Sequence, residues 1–227
     1  MTEYTLILGN KAYSSWSLRG WLLLKRSGAR FEERVVPLDR PGFKAEILAH
    51  SPSGRVPALV AGKLTIWDSL AIAEYLHERH PEAGLWPEDP AARAMARSVT
   101  AEMHAGFSAL RERLPMDLKR APRAPGGCDT GDAALSADIA RIAEIWTDCR
   151  SRAPSHAPGG GPFLFGKFCA ADAFYAPVAT RLRGYGVALE GAAAAYRDAL
   201  LAWPDLVAWT EAAQAEPWVI ETFTKGP

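Results

Sequence analysis

At 227 residues the chain exceeds the usual length of one domain, so two modest domains are expected. Hydrophobic residues make up 48% and charged residues 23%, which excludes a disordered chain. Lys plus Arg (26) balance Asp plus Glu (26) without a dense basic run, so the positive footprint that binds nucleic acid is missing.

The elements follow in chain order. Tyr4 to Gly9 alternates and is β-rich, and from Ser15 to Lys25 apolar residues recur at helical spacing, giving strand then helix. Phe31 to Val36 reads as a second strand and Gly42 to His50 as a short helix. Pro57 to Ala61 and Leu64 to Trp67 form a tight hairpin across Gly62-Lys63. Ser69 to His80 closes the unit as a helix. The order βαβαββα describes a small α/β domain whose first crossover is right-handed and whose first two strands are therefore parallel.

Strands stop there. Amphipathic helices are expected at about 88–114, 133–152, 170–184, 190–202 and 204–214, so the second domain is all α. The boundary falls at residues 82 and 83. Pro115 to Asp132 and Ala153 to Pro162 are expected to be irregular and mobile. The triple glycine at 159–161 is not a phosphate loop, because no Lys-Ser or Lys-Thr pair follows it into a helix.

The start, Met1-Thr2-Glu3-Tyr4, lacks a cationic leader followed by an apolar run, and no stretch approaches 18 apolar residues. A cytoplasmic protein with no membrane partner is expected. Cys128, Cys149 and Cys169 are odd in number and widely spaced, which suits neither a disulfide framework nor a zinc site. His77-Glu78-Arg79-His80 is one residue short of the metalloprotease spacing, so no metal is expected.

Three features of the first domain bear on chemistry, and each also has a plain structural reading. In Tyr13-Ser14-Ser15-Trp16-Ser17-Leu18-Arg19 hydroxyls cluster between the first strand and first helix. Serine is a preferred helix N-cap, contributing about 0.5–2 kcal/mol. The same unsatisfied N–H groups also favour an anion beside those hydroxyls. Arg55-Val56-Pro57 opens the third strand, where a proline is ordinary. Trp67-Asp68-Ser69-Leu70-Ala71 is a strand-to-helix junction where Asp or Ser would normally cap.

In this order and spacing the three features resemble the cytosolic glutathione transferases: a serine at the strand-to-helix start, Val-Pro before the third strand, and an acidic-Ser pair before the third helix. Gly166-Lys167-Phe168-Cys169-Ala170-Ala171-Asp172 looks like that family's capping box and hydrophobic staple. Among its classes the run Ser14-Ser15-Trp16-Ser17 is most similar to the serine-type zeta members, with Trp16 where their cysteine usually stands and Cys169 where the box usually has Ser or Thr. A thiol accepts poorly, so that cap is expected to be weaker by a few tenths to about 1 kcal/mol.

The resemblance implies a thioredoxin-like first domain, glutathione as co-substrate, and a twofold homodimer. Ser14, with Ser15 as reserve, would donate to the glutathione sulfur. Such a charge-assisted bond contributes about 1.5–3 kcal/mol, or roughly one to two pKa units, to the thiolate of a thiol near 8.5. Val56 would pair its backbone with the cysteinyl backbone of glutathione, aimed by a cis bond to Pro57. Ser69 would take the γ-glutamyl carboxylate, Asp68 the ammonium, and Arg55 or His50 the glycyl carboxylate. The acceptor would lie among Tyr13, Trp16, Met103, Phe107, Arg111 and Tyr175, although Met103, Phe107 and Tyr175 also sit at spacings typical of a helix core.

Three functions fit: transfer of glutathione to a small electrophile, glutathione-dependent cis-trans isomerisation of the zeta (maleylacetoacetate) type, or a non-catalytic glutathione-binding scaffold. The sequence argues against a glutaredoxin-like oxidoreductase, because no cysteine lies at the first helix.

Overall fold

The computed structural model describes residues 3–152 and 161–221. Eight of the ten residues of the expected irregular segment Ala153 to Pro162, positions 153–160, lie outside the described residues, with the first two glycines of the triple.

Strand β1 (Tyr4–Leu8) leads into helix α1 (Ser15–Ser27), then β2 (Phe31–Val35), α2 (Phe43–Leu48), β3 (Ala58–Ala61), β4 (Leu64–Trp67) and α3 (Ser69–Arg79). The sheet order is β2-β1-β3-β4. β1 runs parallel to β2, while β3 is antiparallel to both β1 and β4. This is the expected βαβαββα thioredoxin-like arrangement, and helices follow it.

α1 forms because Leu18, Trp21, Leu22 and their neighbours bury. Ser14 caps its start and Gly28, at φ 73°, ends it by donating to the Lys25 carbonyl. α1 packs between α3 and the central helix α7. Gly20 permits a close approach on its other side: a Cβ there would meet Pro57 Cγ at 2.9 Å.

The helical part comprises α4 (Pro90–Ala105), α5 (Ser108–Arg113), α6 (Ala133–Arg152), α7 (Ala170–Gly184), α8 (Gly191–Leu201) and α9 (Pro204–Ala215). One expected helix, 88–114, is instead two. Gly106 is extended and Phe107 left-handed at φ 60°, and the Arg111 side chain takes up the carbonyls this break frees. Its Nε donates to Gly106 O at 3.0 Å and its Nη2 to Met103 O and His104 O. α7 is buried from Ala170 through Leu182, as a helix apolar on all sides must be.

At the start of α7 the expected capping box is present, with Cys169 at the N-cap and Asp172 accepting from its N–H at 2.8 Å. Asp172 also accepts from Leu164 N at 3.1 Å and Tyr196 Oη at 2.8 Å, so it ties the preceding loop and α8 to α7. No helix among the described residues is long and apolar enough to cross a membrane.

Candidate active site

A cleft of about 1090 Å³ opens between the β1–α1 turn, the β3 and α3 starts, and α4, α5 and α7. Tyr13, Ser14, Ser15 and Trp16 line it from the first turn. Arg55, Val56 and Pro57 line it from the approach to β3, and Asp68 and Ser69 from the start of α3. Ten of the fourteen expected site residues therefore meet in one place when Arg111 is included.

The other four do not line it. His50 forms the turn after α2, where its N–H donates to Ile47 O at 2.9 Å. Met103 is 1% exposed in the core. Phe107, 7% exposed, packs into that core at the α4–α5 break. Tyr175 is fully buried and donates to Val99 O at 3.1 Å. Their helical spacing points them into neighbouring helices, which is the core reading and not the acceptor reading.

The β1–α1 turn is held from both sides. Trp209 Nε1 donates to Lys11 O at 3.0 Å, and the Glu216 carboxylate accepts from Lys11 N at 2.8 Å and Ala12 N at 3.2 Å. Ser14, the N-cap, accepts from Ser17 N at 3.3 Å and donates to Ser17 Oγ at 2.8 Å. Ser17 Oγ also accepts from Gly9 N at 2.9 Å. Ser15 Oγ accepts from Arg181 Nη2 at 3.0 Å.

The Val56–Pro57 bond is cis. Asp68, at φ 74°, caps α3 by accepting from Leu70 N at 2.8 Å, and its second oxygen lies 3.2 Å from His104 Nε2. Ser69 Oγ is buried without a hydrogen-bond partner among the described residues. An orphaned hydroxyl at a helix N-terminus facing a cleft suits an incoming carboxylate.

The opposite wall carries cations. Two guanidiniums lie over the Trp16 ring, Arg19 at 4.3 Å from its centroid and Arg111 at 5.0 Å, with His104 edge-on at 5.1 Å. Arg19 is 1% exposed, also faces Phe174 at 4.9 Å, and its Nε and Nη1 have no partner among the described residues. Burial, then Arg111 and Arg181, push its guanidinium well down from the ordinary value. Burial likewise lowers Arg111, and lowers Arg181 to about 10. Burial lowers His104, with Asp68 opposing and Arg19 and Arg111 reinforcing.

Arg181 and His104 were not singled out from the sequence. Arg181 had a visible signal: it is the one cation in the run Ala170 to Leu182, otherwise nearly all apolar. His104 had none, since its neighbours Asp68 and Trp16 come from distant segments.

A parallel β1–β2 pair, an antiparallel β3–β4 hairpin and a serine-lined turn beside a cis-proline define a thioredoxin-like domain. Residues 13–79 match the family model described as glutathione S-transferase, N-terminal domain. The chain is 35% identical over 104 residues to a probable maleylacetoacetate isomerase of Caenorhabditis elegans, covering 46% of this chain and 48% of that protein. With the maleylacetoacetate isomerase of Pseudomonas aeruginosa it shares 37% over 115 residues, 48% of this chain and 53% of that one. The alignments thus span about half the length of these curated relatives. A Burkholderia glutathione transferase homolog, solved with bound glutathione, superposes with TM-score 0.65 at 26% identity, covering 94% of this chain and 99% of that one.

Proposed function

We propose that the chain is a glutathione S-transferase that binds glutathione in this cleft and holds its sulfur as a thiolate, through one hydroxyl of the Ser14–Ser15 pair, for attack on a small electrophile. The observation that carries the reading is the convergence of the two serine hydroxyls, the Val56 backbone and the orphaned Ser69 hydroxyl on one cleft. Glutathione presents its thiol, its cysteinyl backbone and its γ-glutamyl carboxylate to these groups in turn. The helix N-termini at Ser15 and Ser69 add their positive ends to the sulfur and the carboxylate. Asp68 faces the ammonium and Arg55 the glycyl carboxylate. Tyr13, Trp16 and Arg111 bound the acceptor.

The division is residues 1–82 for the thioredoxin-like domain and 83–227 for the helical domain, in a cytoplasmic homodimer. Isothermal titration is expected to give glutathione binding at millimolar concentration or below; no binding there overturns the reading.

A second reading, isomerisation of maleyl-type substrates, is favoured by one observation. Arg19 and Arg111 lie over Trp16 and Arg181 acts on Arg19 alongside Arg111, with Asp68 as the carboxylate opposing them on Arg19, an environment that attracts a multiply anionic acceptor. The relatives named maleylacetoacetate isomerase point the same way. Glutathione-dependent loss of a maleyl substrate would establish this branch, and its absence at any glutathione concentration would leave simple transfer.

A further inference from the structure

We infer that Ser15 rather than Ser14 donates to the glutathione sulfur, and that Arg181 is its positioning residue, fixing the Ser15 oxygen and turning its proton toward the cleft. The inference rests on the proposal that glutathione binds here.

The two hydroxyls differ in what they already do. Ser14 Oγ is occupied on both counts, accepting from Ser17 N and donating to Ser17 Oγ. Ser17 Oγ in turn carries Gly9 N, so this chain of bonds joins β1 to the first turn of α1. Turning the Ser14 proton to sulfur would dismantle one link of it. Ser15 Oγ has the opposite pattern. It accepts from Arg181 Nη2 at 3.0 Å, and no acceptor among the described residues takes its own proton. A hydroxyl whose oxygen accepts from a cation is a better donor, since hydrogen bonds in a chain polarise one another.

Arg181 is built to hold that contact. Its Nη1 donates to Leu114 O at 2.8 Å and Arg111 O at 3.5 Å, which fixes the fork while Nη2 reaches Ser15. The side chain is nearly buried, and no carboxylate is among the groups acting on its charge. The charged and titratable groups acting on it are Arg111 and Tyr185, and Arg19 lies in the same cluster. With its value near 10 it still carries its charge at neutral pH. Its field therefore reaches the cleft without a neutralising partner. The glutathione proton leaves to solvent, the Ser15 proton stays on Oγ, and the thiolate accepts from it.

The test is a pH titration of ultraviolet thiolate absorbance in the glutathione complex of the parent, Ser14→Ala, Ser15→Ala, Arg181→Lys, Arg181→Met and Ser15→Ala/Arg181→Lys. Calorimetry confirms saturation at each step. Ser15→Ala and Arg181→Met are expected to raise the apparent pKa by about one unit, a tenfold loss of thiolate below both values. Arg181→Lys, which keeps charge but loses the fork, should show a smaller rise that disappears in the Ser15→Ala background. Ser14→Ala should lower thermal stability and leave the pKa near the parent's. A rise in Ser14→Ala alone, or a parental pKa in Ser15→Ala, overturns the inference. Should Arg181→Met fail to fold, Arg181→Lys and the double variant still decide. Absence of glutathione binding in the parent is a different failure, that of the proposed function.

Discussion

Asp172 and Arg181 stand nine residues apart on α7, both buried, and their surroundings differ. Asp172 accepts from two backbone N–H groups and the Tyr196 hydroxyl; burial pushes its carboxyl up, and these bonds oppose that. Arg181 gives its donors to neutral oxygens, beside Arg111 and Arg19, and Arg19 leaves two donors without a partner. One cluster completes itself within the fold. The other concentrates on a cleft positive charge that no salt bridge among the described residues neutralises, an arrangement that costs stability and is relieved by an anion.

The largest expected effect falls on the self-contained cluster. Asp172→Ala strands Leu164 N, Cys169 N and Tyr196 Oη, and should lower unfolding free energy by about 3 kcal/mol in urea titration. A loss below about 1 kcal/mol would erase the contrast. Arg19→Met removes a buried cation with two unsatisfied donors while keeping much of its volume over Trp16. It should be neutral or raise stability by about 1 kcal/mol, and it should lose any thermal stabilisation by a polyanionic ligand. A destabilisation beyond about 2 kcal/mol would show that Arg19 is structural after all.

The smallest effect is on pH dependence. The folded-state pKa of His104 lies below its ordinary 6.5, mainly through burial, so in the window just below 6.5 the unfolded chain binds more protons. Its contribution is complete above 6.5 and is lost as pH falls through that value toward the folded pKa. Urea midpoints measured downward from neutral pH should fall more steeply in the parent than in His104→Gln. Parallel curves would mean that burial does not depress His104 in the folded chain.

The fold was largely legible, because each element of the first domain carries its own local pattern: alternation in Tyr4 to Leu8, helical spacing after Ser15, and Gly62-Lys63 between two short β-rich runs. The α4–α5 break was not, since Arg111 holds the Met103, His104 and Gly106 carbonyls at once, a pattern spacing does not disclose. At the site, Ser14, Ser15, Val56, Pro57, Asp68 and Ser69 were legible because short motifs at element junctions carry them. Met103, Phe107 and Tyr175 misled because size at helical spacing does not tell a core face from a cleft face. Arg181 and His104 escaped because their meaning comes from Ser15 and Asp68, brought near only by folding.

The central claim is that this cleft holds glutathione as a thiolate, and the most direct measurement is the pH titration of thiolate absorbance in the parent's glutathione complex. The account predicts an apparent pKa about one to two units below the free thiol's value near 8.5. Saturable binding with an unshifted pKa would contradict it.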